Sequence, residues 1–136
     1  MRKAIGGWGA LSVVAAAALV VGQFATAAIE AVKSSNSWRI ECSGNAESSG
    51  IIQFRVLPHQ GEVVTVSVQV AKGRSENEVA KDIRDAFRAQ LPPARFQAET
   101  DDGEDVLIKK KDGQPDFAIE LGGSSVEHVR LNVQSE

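Results

Sequence analysis

Cysteine and aromatic residues are scarce in this sequence. Its 136 residues include one cysteine, two tryptophans, five phenylalanines and no tyrosine. A single cysteine excludes an intramolecular disulfide, so the protein must rely on packing for its stability. Sites that bind sugars or single-stranded nucleic acids stack the ligand on several aromatic rings. The sequence has too few such rings to predict a site of that kind.

Long runs of basic charge are also missing. The longest run is the three lysines at 109–111, and 15 Lys and Arg residues stand against 18 Asp and Glu residues, for a formal net charge of −3. Nonspecific binding to nucleic acid depends on neutralising phosphates with Lys and Arg. The charge balance therefore predicts no nucleic-acid partner.

The N-terminal residues have the three parts of a secretory signal peptide. A basic start, Met1-Arg2-Lys3, is followed by an apolar stretch that is densest from Ala10 to Val21. Small residues then occupy the two positions that signal peptidase reads in Ala25-Thr26-Ala27. The pattern predicts a signal peptide over 1–27 with cleavage before Ala28. The protein is therefore expected to be exported, with a periplasmic or extracellular location.

An uncleaved membrane anchor is the alternative for this segment. The strongly apolar part is about a dozen residues long, whereas a spanning helix needs roughly 20. Only the wider window from Ile5 to Ile29 is long enough. Contact with a membrane is therefore expected only if the segment stays uncleaved. Cleavage would remove Arg2 and Lys3 but no acid, leaving 13 basic and 18 acidic residues and a formal charge of −5.

A polar lead-in at 28–37, expected to be flexible, precedes one α+β domain predicted at 38–136. The strands of this domain are indicated by apolar residues that alternate with polar ones. The clearest is the run from Glu62 to Ala71, in which four valines alternate with polar residues. Further strands are predicted near 38–42, 51–57, 95–100, 105–110, 116–121 and 126–133. Such alternation is typical of antiparallel sheets with one buried face.

One helix is predicted in the domain, at about 75–91. Ser75 and Glu78 have the spacing of a capping box, in which each side chain bonds to the backbone N–H of the other residue. Apolar residues follow at helical spacing, and Pro92-Pro93 ends the helix. The predicted order is β-β-β-α-β-β-β-β. A helix packed on one face of a mostly antiparallel sheet defines an α+β fold.

The segment 61–121 has a recurring outline of an alternating strand, a glycine turn, a short helix and a two-strand hairpin. The residues that carry it are Val64-Thr65-Val66-Ser67-Val68, Gly73, Ser75, Val79-Ala80, Ile83 and the Asp102-Gly103 turn. With these residues the segment resembles a β-α-β-β module of bacteriophage tail proteins, flagellar hook-associated motifs and bacterial surface proteins. The resemblance implies a packing and assembly unit without catalysis. The sequence departs from that module by the added segments 38–57 and 126–133.

The cysteine, Cys42, has two interpretations. An odd cysteine in an exported protein is a candidate for an intermolecular disulfide. Cys42 also alternates with Trp38 and Ile40 on one strand face, and an unpaired cysteine behaves as a small hydrophobe. The second interpretation predicts that Cys42 is buried, and we favour it.

Candidate catalytic residues are confined to the segment after Gly122-Gly123. Ser124 and Ser125 lie close to His128 in sequence, as in a small exported hydrolase. The surrounding residues do not form the G-x-S-x-G elbow of many hydrolases, and a polar turn followed by a surface histidine explains the segment more simply. The two histidines, His59 and His128, lack any metal-ligand spacing. We therefore predict that the protein is not an enzyme and holds no cofactor or metal.

The predicted function is that of a noncatalytic domain that acts by contact with other protein, as an assembly subunit or a binding module. An exposed sheet edge can accept a strand from a partner. The candidate edge residues are Trp38, Ile40, Val129, Leu131 and Val133. The expected partner is another protein or a second copy of the chain. A periplasmic inhibitor or chaperone-like factor is the other noncatalytic alternative.

Overall fold

A computed structural model of the protein describes residues 33–136. The predicted signal peptide and residues 28–32 of the predicted lead-in lie outside the described residues. The elements in chain order are β1 (Ser37–Ser43), β2 (Gly50–Pro58), β3 (Val64–Val70), α1 (Glu76–Gln90), β4 (Phe96–Asp101), β5 (Asp105–Lys110), β6 (Phe117–Ser124) and β7 (Arg130–Ser135). The α+β class, the order of elements and the position of the helix are confirmed.

The strands form two antiparallel sheets, whereas a single sheet was expected. One sheet has the strand order β4-β5-β1-β7, and the other has the order β3-β2-β6. Alternation along the sequence identifies each strand but not its partners. β1 takes its partners from the second half of the chain, with Ile40 opposite Val106 of β5 and Val133 of β7. β2 lies between β3 and β6 instead.

Helix α1 packs against both sheets and covers their buried faces. Its capping box is formed as predicted: the backbone N–H of Glu78 donates to the Ser75 hydroxyl at 3.3 Å, and the backbone N–H of Ser75 donates to the Glu78 carboxylate at 3.0 Å. Phe87 meets Phe54 of β2 with ring centroids 5.4 Å apart. The largest fully buried side chains are Phe54, Phe87, Phe117, Ile40, Ile52, Ile83 and Ile108. This shared core fixes the two sheets around the helix.

The first strand is central in its sheet, which corrects the prediction that Trp38 and Ile40 lie on an edge. β1 is hydrogen-bonded to β5 on one side and to β7 on the other. Both side chains belong to the core, with 7% of Trp38 and none of Ile40 exposed. Their alternation with polar residues indicates a strand with one buried face. Central strands and edge strands both have such a face, so the alternation does not distinguish them. β7 does lie at an edge, as predicted.

The end of the predicted lead-in is part of the folded domain. Ser35 and Phe117 exchange backbone hydrogen bonds of 2.8 and 2.9 Å, and β1 already begins at Ser37. Residues 35–37 are therefore fixed to the sheets, contrary to the expected flexibility. Within residues 33–136 no helix is long and apolar enough to cross a membrane.

Candidate protein interface at the β7 edge

The edge of β3 is covered by the C-terminal end of the helix. The side-chain amide of Gln90 accepts from the backbone N–H of Ser67 at 2.9 Å and donates to its carbonyl oxygen at 2.7 Å. Gln90 thus occupies the two backbone groups that a partner strand would use at this position. Covering an edge in this way blocks pairing with other chains.

The edge of β4 is covered by the same helix and by the loop that follows it. Arg88 donates from Nε to the carbonyl oxygen of Ala98 at 2.8 Å. The backbone N–H of Phe96 donates to the carbonyl of Pro92 at 3.1 Å. One helix therefore protects one edge of each sheet.

The edge of β6 is occupied where the strand begins. Its first residue, Phe117, pairs with Ser35, and its carbonyl oxygen also accepts from Nε1 of Trp38 at 2.7 Å. The Trp38 bond is buried and joins the two sheets, because β1 and β6 belong to different sheets. This contact fixes the start of β1 against the start of β6.

β7 pairs with β1 alone, and its opposite side carries backbone groups without a partner among the described residues. The backbone N–H of Glu136 donates to the carbonyl of Ser37 at 3.0 Å, so these two residues form a hydrogen-bonded pair. Such pairs alternate along antiparallel strands. By the observed register, residues 130, 132 and 134 also direct their backbone groups to β1. Leu131, Val133 and Ser135 direct theirs away from it. We name this outward side of Arg130–Ser135 the β7 edge.

The side chains of β7 alternate between a half-buried face and an exposed one. Leu131 and Val133 are half-buried on the side of the core, opposite Cys42 and Ile40 of β1. On the exposed face, Asn132 and Gln134 both donate to Oε1 of Glu41, at 2.9 and 3.0 Å. These bonds hold the strand in an extended conformation. A preorganised strand lowers the entropy cost of binding a partner.

Charged groups mark the two ends of the β7 edge. At the C-terminal end, Glu136 is 3.0 Å from Arg39, and this arginine also contacts Asp105 at 2.7 Å and Asp101 at 3.1 Å. Hydrogen bonds to Glu136 and Asp105 raise the pKa of Arg39 above its usual range. At the N-terminal end, Arg130 is exposed and forms no ion pair within residues 33–136. The edge therefore begins with an unneutralised positive charge and ends beside an acidic cluster.

The loop between β6 and β7 is tied to the loop between β1 and β2. The backbone N–H of Glu47 donates to the carbonyl of Glu127 at 3.0 Å, and Glu127 in turn donates to the Ser48 hydroxyl at 2.9 Å. Gly44 has φ of +85°, and a Cβ atom there would overlap the carbonyl oxygen of His128. Only glycine fits this position without strain. The two loops thus set where β7 starts.

The residues considered for a hydrolase do not form a nucleophile–base pair. The Ser125 hydroxyl accepts from the backbone N–H of Ile51 at 2.9 Å, and the Ser124 hydroxyl accepts from that of Val126 at 3.2 Å. His128 instead places Nδ1 3.3 Å from a Glu47 carboxylate oxygen. A nucleophile must be within hydrogen-bond reach of its base. The Ser125 hydroxyl thus joins the β6–β7 connection to β2, and the Ser124 hydroxyl stabilises the backbone of that connection.

Cys42 is buried, in agreement with the favoured interpretation, and only 2% of its surface is exposed. Burial raises the pKa of its thiol to about 12. The thiolate is the species that forms disulfides, so the folded protein suppresses the reaction that an intermolecular bridge requires. Such a bridge would need the residues that bury Cys42 to move apart.

Two grooves mark the surface at opposite ends of the sheets. One, of about 380 Å³, adjoins the start of β7 and is lined by Glu41, Cys42, Ser43, Glu104, Asp105, Arg130, Leu131 and Asn132. The other, of about 470 Å³, is lined by Ser34, His59, Gln60, Gly113, Gln114, Pro115 and Asp116. Among residues 33–136, no three His, Cys, Asp or Glu side chains lie close enough to hold a metal ion. The groove beside β7 extends the surface of the candidate interface.

Of the residues predicted for edge contacts, Leu131 and Val133 lie on the β7 edge. Val129 precedes the strand and is half-buried in the connection from β6. Sequence reasoning missed the residues that distinguish one edge from another, Gln90 and Arg88. Both are exposed residues in the last turn of α1, but no local pattern indicates which backbone groups they reach.

The fold and this edge define an α+β domain of two antiparallel sheets in which the outward side of β7 has no backbone partner among residues 33–136. Neither a protein-family model nor a curated protein matches the chain.

Proposed function

We propose that this protein is an exported, noncatalytic protein-interaction domain that binds a partner strand along the β7 edge. The signal-peptide pattern of residues 1–27 supports export. The observation that carries the proposed mode of binding is the outward row of backbone groups at Leu131, Val133 and Ser135. An edge strand of this kind gives affinity through main-chain hydrogen bonds and specificity through alternate side chains.

The contrast with the edges of β3 and β4 supports the choice of β7. The edges of β3 and β4 are covered by Gln90 and Arg88. Proteins protect exposed edges because an unpaired strand recruits other strands. Here one helix covers two edges, while Glu41 holds β7 extended. This arrangement is expected if β7 is the strand at which a partner docks. The resemblance of 61–121 to assembly modules points to the same class of function.

Site-specific photo-crosslinking in expressing cells tests this proposal. The photoreactive residue replaces Gln134 on β7 or, as a matched control, Gln97 on β4. Both glutamines are exposed and lie on the same face of the same sheet, at its opposite edges. We expect a cross-linked protein from position 134 and much less from position 97.

A second variant separates strand pairing from simple proximity. Val133→Pro removes an outward N–H and should abolish the cross-link from position 134, since proline cannot donate to a partner strand. Equal cross-linking from both positions, or a cross-link at 134 that survives Val133→Pro, would show that the partner does not add a strand at β7.

A further inference from the structure

We infer that the strand bound at the β7 edge is β7 of a second copy of this chain, paired antiparallel about a twofold axis at Val133. This inference rests on the proposed function and names its partner. A twofold interface requires one surface that is complementary to itself. The sequence of β7 and the residue after it, Arg130–Glu136, meets that requirement in one register.

The backbone fixes which residues can form the pairs. Leu131, Val133 and Ser135 direct their N–H and C=O groups outward, so hydrogen-bonded pairs between copies must join residues from this set. Centring the axis on Val133 pairs Val133 with itself and Leu131 with Ser135 of the second copy. Each hydrogen-bonded pair exchanges two bonds, giving about six backbone hydrogen bonds across the interface.

The exposed face supplies the charge complementarity. In this register Arg130 stands directly opposite Glu136 of the second copy, and the twofold axis makes the pair occur twice. Opposite charges directly across an antiparallel pair are stabilising. Between them, Asn132 faces Gln134 of the second copy. A shift of two residues in either direction loses both Arg130–Glu136 pairs.

The half-buried face gains apolar contact in the same register. Val133 lies against Val133 of the second copy, while Leu131 lies beside Ser135. The four-stranded sheets of the two copies would then join into one sheet of eight strands, in the order β4-β5-β1-β7-β7-β1-β5-β4. Both outer edges of that sheet are β4, which Arg88 already covers. Growth through this sheet therefore stops at a dimer.

Charge reversal tests the register. The mass of the full chain, as recovered from expressing cells, is measured by sedimentation equilibrium. The samples are wild type, Arg130→Glu, Glu136→Arg and a mixture of the two variants. Each variant alone places like charges opposite each other twice and should lose the dimer. In the mixture every pair is again opposite in sign, so we expect the mass of two chains to return. Arg95→Glu is the control: Arg95 is exposed on the loop before β4, and this variant should dimerise like wild type.

The recovery in the mixture also shows that both variants are folded, although Glu136→Arg removes one acidic partner of Arg39. A dimer that persists in Arg130→Glu, or a mixture that stays monomeric, overturns the proposed register. A wild-type protein that is monomeric at every concentration overturns the second copy as partner. In that case a cross-link from position 134 to a different protein would still support the proposed function. Absence of any such cross-link would contradict both the proposed function and the second copy as partner.

Discussion

Proline placed at two neighbouring positions of β7 probes the edge directly. At Val133 the backbone N–H points away from β1, so Val133→Pro removes no hydrogen bond of the isolated domain. Proline is tolerated on edge strands at such positions, and it also lowers the entropy of the unfolded chain. We expect the free energy of unfolding to change by less than about 1 kcal/mol.

At Asn132 the same substitution meets β1. Asn132→Pro removes the N–H that the register directs to β1 and leaves a carbonyl of that strand unpaired, which costs about 1–3 kcal/mol. It also removes the side-chain bond to Glu41, which adds about 0.5–1.5 kcal/mol. The total is a loss of about 1.5–4.5 kcal/mol. Asn132→Ala isolates the side-chain part.

The assay is urea unfolding followed by far-UV circular dichroism at two protein concentrations. Wild type should show a higher midpoint at the higher concentration, because association stabilises the folded form. Val133→Pro should lack that dependence. If Val133→Pro destabilises the dilute protein as much as Asn132→Pro does, the N–H of Val133 already has a partner within the chain and the β7 edge is not open.

Four further predictions concern Cys42, the two residues of the helix cap and the loop glycine Gly44. Burial keeps the Cys42 thiol protonated, since its folded pKa of about 12 exceeds the ordinary value of 9.0. Its reaction with a disulfide reagent should therefore be about a thousandfold slower in the native protein than in urea. Rates within tenfold of each other would contradict the burial. Ser75→Ala should cost about 1 kcal/mol in thermal unfolding, with Ser75→Asp as the control that retains a cap. Hydrogen bonds with Ser75 lower the pKa of Glu78 below 4.5. The stability that Glu78 contributes is therefore present above that pH and is lost as the pH falls through its folded pKa. Glu78→Gln should remove that part of the acid dependence of stability, and an unchanged pH profile would contradict this prediction. Gly44→Ala should destabilise the domain by about 1–3 kcal/mol through strain at positive φ, whereas Gly113→Ala, also at positive φ but with open space around it, should cost less.

The local part of the fold could be read from the sequence because it depends on short-range physics. The valine stripe of β3 and the capping box of α1 each need only neighbouring residues to be recognised. Burial of Cys42 followed from its place beside Ile40 on one strand face. These features are set by side-chain period and by bonds across three or four residues.

The pairing of strands could not be read in the same way. Ile40 alternates with polar residues as Val133 does, yet one lies in a central strand and the other at an edge. The difference depends on contacts across more than 60 residues, such as Val106 opposite Ile40. Gln90 covers Ser67 across 23 residues. An open edge is therefore a property of the assembled sheets and not of any segment.

Amide hydrogen exchange, resolved by residue in the full chain, tests the central claim most directly. In dilute protein the amides of Leu131, Val133 and Ser135 should exchange quickly, while those of Asn132 and Gln134 are protected by β1. At concentrations where the protein associates, or with its partner bound, the three outward amides should become protected. If they are protected in the dilute protein, or remain unprotected when the partner is bound, then β7 is not the strand through which this protein binds.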